Sequence, residues 1–554
     1  MHGDTFARPE IGASRLPTVH EEAPTASPAE YLPAPPNDAE KHWYMGRQHR
    51  WLLIAQAASF CLIATSIWRF ATADLRFLIF VVPTSLYAIA LLVSLASSAR
   101  RKRTSLADHL ERVTSYQPDS WPSIDVFIPT AGEPLPVLEN TFKHVARMEW
   151  AGNLFLLVLD DSARPEVRAL AEQYGLRYET RPDRGRLKKA GNLSYGYRRT
   201  SGDFIAVFDA DFVPRTDYLI NLMPYTQDEK AGIIQSPQFF DARKGEFHWL
   251  QRSAGATQEL FYRWVQPGRD ASKAAICVGT CAIYRRAALE LSGGFAQIGH
   301  SEDVHTGVNL MKVGFHVRYV PIILAKGICP DTLSGFLNQQ YRWCTGSMSL
   351  LASPEFHKAE HIGFRQQLAF WAGFLYYIST ALNAFVAAGP ALIMLYMLPQ
   401  WIEPMNSIWL VGALVLWFFV LPLMYRSHWR IDVLRVQLLY SYAHAVAIFH
   451  ILFGRTKEWV ATGSANTQKT PLGTQITRVA KTGIVLTQAS LWTGLVLGTL
   501  HYGFDYFWAM LCFNALAAYV QLPILWLQDQ PQKHRVIELP SQHVLVPQPR
   551  KMKA

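Results

Sequence analysis

Two apolar runs, residues 51–70 (WLLIAQAASFCLIATSIWRF) and 77–97, are each one bilayer long, and further such runs follow residue 355. They confine everything between them to one side of a membrane. Lys41, Arg47 and Arg50 precede the first run, and Arg100, Arg101, Lys102 and Arg103 follow the second. The join between the runs holds only Arg69 and Arg76 at its edges. By the positive-inside rule the pair is a hairpin with both flanks inside. Its start near residue 51 is too far into the chain for a cleaved signal peptide.

The later runs fall at 366–398, 407–425, 436–453, 482–500 and 505–527. Taking 436–453 as an interfacial helix leaves four spans here and six in the chain. Arg426, Arg430, Arg435, Arg455, Lys457, Arg478, Lys481, Lys533 and Arg535 then lie inside. The joins at 399–406 and 501–504 contain no Lys or Arg and lie outside. This choice also keeps His444 and His450 out of the bilayer centre.

Only 17% of the 554 residues are charged and half are apolar, as suits a soluble domain joined to membrane spans. The net charge of +10 clusters at the span ends, which argues for a membrane surface and against nucleic acid. The six cysteines form no C-x-x-C pair and read as reduced, mostly buried thiols. Residues 1–47, rich in Pro, Ala, Glu and Thr up to about residue 40, read as a disordered tail. The expected order is then a hairpin at 48–98, a soluble domain at 99–355, a membrane domain at 356–530 and a tail at 531–554.

From about residue 121 short apolar strands alternate with helices. IDVFIP (124–129), LFLLVLDD (154–161), DFIAVFDAD (203–211) and AGIIQSP (231–237) are strands; RPEVRALAEQYG (164–175) is a helix. Apolar runs separated by helices predict an α/β domain with a mostly parallel sheet and crossover helices. Ligands bind such sheets at the carboxyl ends of the strands.

Asp209 and Asp211 end one strand, where two carboxylates can share Mg²⁺ or Mn²⁺ bridging phosphates. An isolated D-x-D is more often a pair of solvated turn acids. Asp160 and Asp161 end another strand, either as turn acids or as contacts to a nucleotide base or ribose. Lys188 and Lys189, in RGRLKKAGN (184–192), are a solvated basic loop or phosphate ligands. Ser301, Glu302 and Asp303 open a helix. Ser301 suits an N-cap and the acids suit the helix dipole; equally, Asp303 can serve as general base to a hydroxyl.

In PDTLSGFLNQQYRWCTG (330–346 and flanking residues), Pro330 and Asp331 predict a helix start. Gln339, Arg342 and Trp343 then share one face. That face is either an interfacial helix with a membrane-surface Trp or a wall on which Arg342 meets a leaving pyrophosphate and Trp343 stacks on a sugar.

Asp-Asp, D-x-D, S-E-D and Q-Q-x-R-W, in that order and flanked by spans, resemble the processive family 2 glycosyltransferases, specifically the cellulose-synthase-like β-glucan synthases, over roughly residues 50 to 530. The resemblance implies a GT-A-like α/β domain inserted between transmembrane helices. It implies inverting transfer of glucose from UDP-glucose to a growing β-glucan, exported across a bacterial inner membrane from a cytoplasmic catalytic domain, with periplasmic or membrane accessory subunits. It implies Asp303 as base and Asp209 and Asp211 as ligands of Mg²⁺ or Mn²⁺. Thr130 and Glu133, in IDVFIPTAGEP, join Asp160, Asp161 and Lys189 at the nucleotide sugar. Gln339, Arg342, Trp343 and Glu302 face acceptor and pyrophosphate. SPQFF (236–240), RWVQPGRD (263–270) and ICVGTCAIYRR (276–286) also resemble family segments, the last a loop that meets the acceptor.

The chain departs from the pattern in three places. Ser301 stands where Thr is usual, Val278 stands beside the usual Cys-Gly pair, and KEWVATGSANTQKT (457–470) matches the gating loop only loosely. The stretch after 530 is expected to hold no cyclic-di-GMP-binding domain. Two other readings remain open: a non-processive transferase acting on a polyprenyl phosphate, and a membrane transporter or receptor with a cytosolic binding domain. The scarcity of Asp, Glu, Lys and Arg within the spans weighs against ion-coupled transport.

Overall fold

The computed structural model describes residues 32–45, 50–99, 105–241, 249–330, 332–424, 431–456 and 470–527. Ten strands lie within them: β1 (Ile124–Thr130), β2 (Leu154–Asp160), β3 (Arg177–Glu179), β4 (Phe204–Val207), β5 (Val213–Pro214), β6 (Ala231–Gln235), β7 (Phe239–Phe240), β8 (Ala282–Arg285), β9 (His316–Tyr319) and β10 (Ala325–Gly327). Seven form one sheet in the order β3-β2-β1-β4-β8-β6-β9. Only β8 runs antiparallel, pairing with β4 and β6. The domain is thus the mostly parallel α/β class the sequence predicts. β1 is buried along its whole length, which is why it reads as a continuous apolar run.

Register sets the working edge. Thr130 lies opposite Asp160, so β1 and β2 end together, and Val207 lies opposite Phe127, so β4 ends three residues short and the acids after it reach the same edge. Ala282, at the start of the reversed β8, faces Val207. The 276–281 loop before β8 therefore emerges beside the residues that follow β4.

Six helices among the described residues are long and apolar enough to cross a membrane: Trp51–Ala73, Leu75–Val93, Phe364–Met397, Pro404–Met424, Pro471–Tyr502 and Phe504–Trp526. Asp432–Leu452 is not among them. It is buried at Val433, Val436, Leu439, Ala443 and His444 against neighbouring helices. All six cysteines are free; Cys277, Cys281, Cys329 and Cys344 are buried.

Leu333–Leu351 is the seam between the two halves. It begins later than the Pro330–Asp331 start read from the sequence, because Thr332 supplies the cap by accepting the Gly335 N–H. It is buried on nearly every face, including Gln339 and Gln340, and so is not a one-sided interfacial helix. At its start Ser334 and Asn338 hydrogen-bond the hydroxyl of Thr470, itself the N-cap of the Pro471–Tyr502 span, at 3.1 and 2.7 Å. Further along, Tyr341 meets His450 at 3.0 Å.

Residues 32–45 correct the expected disordered tail. Asn37 and Glu40 form a capping box around the short helix Asp38–Lys41. Pro33 accepts from Asn140, Pro36 accepts from Arg215, and Lys41 pairs with Asp217 at 2.8 Å. Glu40 reaches Lys326, in the three-stranded sheet β5-β10-β7, at 2.8 Å, with Asp241 3.7 Å from the same ammonium. Trp43 and Tyr44 pack edge-on to Phe239. These partners lie far along the chain, so composition gave no sign of them.

Lys326 is 3% exposed between two buried carboxylates. Lys326→Met would leave those charges together without their cation, a change expected to cost about 3–5 kcal/mol. Thermal unfolding of the solubilised protein checks this. Adding Glu40→Gln should recover part of the loss; an undiminished loss would show that the ion pair is not its cause.

Candidate active site

The strand ends collect the acidic residues, and the loops between them decide which acids face outward. Asp160 does not. It is fully buried and accepts hydrogen bonds from Thr130 Oγ1 (3.0 Å), the Ser162 N–H (2.8 Å) and hydroxyl, the Arg164 N–H (3.0 Å) and Tyr178 OH (2.9 Å). Asp160 and Thr130 therefore tie the β1 and β2 ends together, and neither has a face to offer a nucleotide. Asp161 forms a two-point ion pair with buried Arg181, at 2.6 and 2.7 Å. Arg181 also donates to the carbonyls of Arg186 and Lys188, so the pair shapes the loop that delivers Lys189.

Lys189 opens the helix Lys188–Tyr197. Its ammonium donates to Asp209 Oδ1 and to the Gly279 carbonyl (2.8 Å), and lies 3.9 Å from Glu302 Oε1. Burial works against its charge, but Asp209 and Glu302 outweigh burial and hold its pKa above the usual lysine value. Asp209 is further fixed by its own N–H, which donates to Thr280 Oγ1 at 2.9 Å. Burial, then Asp209 and Glu133, push Asp211 up to about 7. Burial likewise lifts Glu133 to about 7, although the Ala131 N–H donates to its carboxylate at 2.7 Å. Arg164 donates to the Glu133 carbonyl at 2.6 Å.

This corner concentrates negative charge in a poorly solvated place, which is what a divalent cation relieves. No group of three or more His, Cys, Asp or Glu side chains is set to hold a metal among the described residues. Asp209 and Asp211 alone still fit Mg²⁺ or Mn²⁺. Mg²⁺ is ordinarily taken by one or two carboxylates, with the remaining positions filled by substrate phosphates and water.

Asp303 lies in the first turn of Glu302–Lys312. Its Oδ1 accepts the Val304 N–H at 2.8 Å. Burial and then Glu302 raise its pKa to about 7, against the opposing pull of Lys189, the Val304 N–H and Arg342. Arg342 thus lies within electrostatic reach of Asp303. Ser301 does not cap this helix: it has a left-handed φ of 51° and no capping hydrogen bond. Instead it packs on the seam helix where Gly346 leaves room. A Cβ at 346 would stand 1.9 Å from Ser301 Oγ. His305 adds a 3.0 Å hydrogen bond to Ser349. Through these contacts the helix carrying Asp303 docks on the helix carrying Gln339, Arg342 and Trp343; Gln339 is buried, and Arg342 and Trp343 are half-buried.

Asp209, Asp211, Glu133, Lys189, Glu302 and Asp303 are therefore neighbours, with Arg342 beside them. The sequence placed Gly279 and Thr280 in a loop resembling one that meets the acceptor but gave them no role of their own; here Gly279 has φ 77° and leaves no space before Asp303. Among the membrane-half aromatics, Tyr376 and Tyr377 pack on buried His444, at ring separations of 6.2 and 4.9 Å. Residues 457–469 of the loosely matched gating loop lie outside the described residues.

Residues 204–427 match the family described as glycosyl transferase family group 2. The cellulose synthase catalytic subunit [UDP-forming] of Xanthomonas axonopodis pv. citri (strain 306) is 36% identical over 233 residues, 41% of this chain and 31% of that one. Cellulose synthase 1 of Komagataeibacter xylinus is 34% identical over 282 residues, 50% of this chain and 18% of that one. The chain thus spans a third or less of the length of these two relatives. Among solved structures, the mannosyltransferase PcManGT of Pyrobaculum calidifontis, in complex with GDP-Man and Mn²⁺, has a TM-score of 0.35 at 17% identity, covering 60% of this chain and 99% of that one.

Proposed function

We propose that this chain, whose residues 204–427 match glycosyl transferase family group 2, is a membrane glycosyltransferase that polymerises glucose from UDP-glucose into a β-glucan and passes the product across the inner membrane, its catalytic domain lying on the cytoplasmic side. The observation that carries this reading is the single edge on which the D-x-D acids, Lys189 and Asp303 meet. The helix bearing Arg342 and Trp343 closes that edge and leads straight into the spans.

In the proposed step Asp303 takes the proton of the acceptor hydroxyl. That oxygen attacks the anomeric carbon from the face opposite the diphosphate. The new glycosidic C–O bond forms as the bond from the anomeric carbon to the diphosphate oxygen breaks. UDP departs with the bonding pair, and the configuration inverts. Lys189 and Arg342 offset the charge on the departing diphosphate, and Trp343 offers its face to the acceptor sugar. Mg²⁺ or Mn²⁺ bound by Asp209 and Asp211 would supply further charge stabilisation of the leaving group. Asp161 and Glu133 act on the donor side, Asp161 through the Arg181 loop. Glu302 holds Lys189, and Gln339 stands on the acceptor wall.

The test incubates membranes with individually labelled UDP-sugars and analyses the linkages formed. Incorporation of glucose from UDP-glucose into β-linked polymer is expected. A single lipid-linked sugar would replace this reading with a non-processive transferase, and no transfer from any nucleotide sugar would overturn it. The same assay yields a pH profile. A base must be ionised to act, so with Asp303 raised to about 7, kcat/KM should rise as pH passes upward through about 7 and level off above it. An acid limb near pH 4 would remove Asp303 from the role.

A further inference from the structure

Two buried glutamines given no role above, Gln235 in the strand AGIIQSP and Gln266 in the segment RWVQPGRD, hold the loop on which the site converges. Gln266, in the helix Gln266–Asp270, accepts the Ile276 N–H at 2.9 Å and donates to the Ile276 carbonyl at 2.7 Å, much as a neighbouring strand would. Gln235, the last residue of β6, accepts the Val278 N–H at 3.0 Å. Its amide nitrogen donates to the carbonyls of Thr280 (2.8 Å), Cys281 (3.2 Å) and Ser236 (2.8 Å). Both side chains have no solvent exposure.

The loop needs such partners. Gly279 at φ 77° and Cys281 at φ 52° turn the backbone left-handed twice within a short run, which rules out a regular ladder. Its polar groups are nevertheless buried and must be paired. The two amides pair them.

Three of the proposed site residues, Lys189, Asp209 and Asp303, lean on this loop. The Gly279 carbonyl takes Lys189 at 2.8 Å, and the Thr280 hydroxyl takes the Asp209 N–H at 2.9 Å. The Gly279 backbone abuts Asp303 so closely that a Cβ there would lie 2.9 Å from Oδ2. The loop thus acts as a spacer between the acids that follow β4 and the acid on the opposite helix. We infer that Gln235 and Gln266 are positioning residues for the transfer step, and that by clamping the 276–281 loop they set Asp303 relative to Asp209 and Lys189.

The inference rests on the transferase reading, and the experiment separates the two. Wild type, Gln235→Met and Gln266→Met are compared for glucose incorporation from UDP-glucose, UDP binding by titration calorimetry, thermal unfolding and pH profile. A misplacement of about 1 Å at the reacting groups costs about 10²-fold in rate. A fall of that order in kcat is expected, with donor KM and UDP affinity changed less than about threefold. The acid limb of kcat/KM should also move down from about 7, because a loosened loop lets water reach the Asp303 carboxylate. Gln266→Glu keeps side-chain shape and the acceptor for Ile276 N–H while losing the donor; it carries the same readouts should a Met variant fail to fold. An unchanged kcat in variants of an active wild type overturns the inference alone. So does a loss of kcat, UDP affinity and melting temperature together with an unmoved acid limb, which would mark the glutamines as merely structural. Absence of transfer by the wild type overturns both readings.

Discussion

Asp303→Asn is expected to cut sugar transfer by about 10²–10⁴-fold while UDP binding stays within about twofold of wild type. The substitution keeps the side-chain shape, and the amide oxygen still accepts the Val304 N–H. What it removes is the site that takes the acceptor's proton. Donor contacts are assigned to other elements, the ends of β4 and the loop around Lys189, so the nucleotide should hardly notice. Radiolabel incorporation beside UDP titration gives both numbers. Wild-type incorporation by the Asn protein would sink the assignment of Asp303 as base.

Gly346→Ala should be nearly as damaging, for a steric reason. The added methyl would stand 1.9 Å from Ser301 Oγ and 2.2 Å from its Cβ, far inside contact distance. Turning the Ser301 hydroxyl away does not help, because its Cβ is fixed by the backbone and already stands inside contact distance. The helix start carrying Glu302 and Asp303 must therefore lift off the helix carrying Arg342. Overpacking of this kind costs about 1–3 kcal/mol of stability, and the displacement should cost about 10²-fold in transfer. Ser301→Gly in the same chain removes the obstructing side chain and tolerates the backbone angle. The double variant should regain most of the lost activity. If it stays as inactive as Gly346→Ala alone, the contact between these two helices does not set the spacing.

The parts of this architecture that were legible in the sequence are those with a long, regular signal. The six membrane-length helices and the strands β1, β2 and β4 are continuous apolar runs, and such runs mark both kinds of element. β3, β8 and β9 are short and of mixed character, so nothing in their pattern separates them from loop. The reversed β8, inserted between β4 and β6, is a matter of tertiary pairing that no local period encodes. At the site, sequence position could not tell Asp160 from Asp161. Successive residues at a strand end point to opposite faces, and here Asp160 turns inward to knit two strands. Contacts such as Lys189 to Gly279 join ordinary residue types 90 positions apart and carry no local signal at all.

The segment 32–45 carries one further consequence. Its residues precede the first span, yet they bind Asn140, Arg215, Asp217 and Lys326, all of which follow the second. A chain that leaves a surface and returns to touch itself must have crossed the bilayer an even number of times in between. Given that Trp51–Ala73, long and apolar enough to cross a membrane, does cross it, parity requires Leu75–Val93 to cross back, with no appeal to the charges that flank them. The ion pair between Glu40 and Lys326 is, in that sense, a record of membrane topology written in a water-side contact.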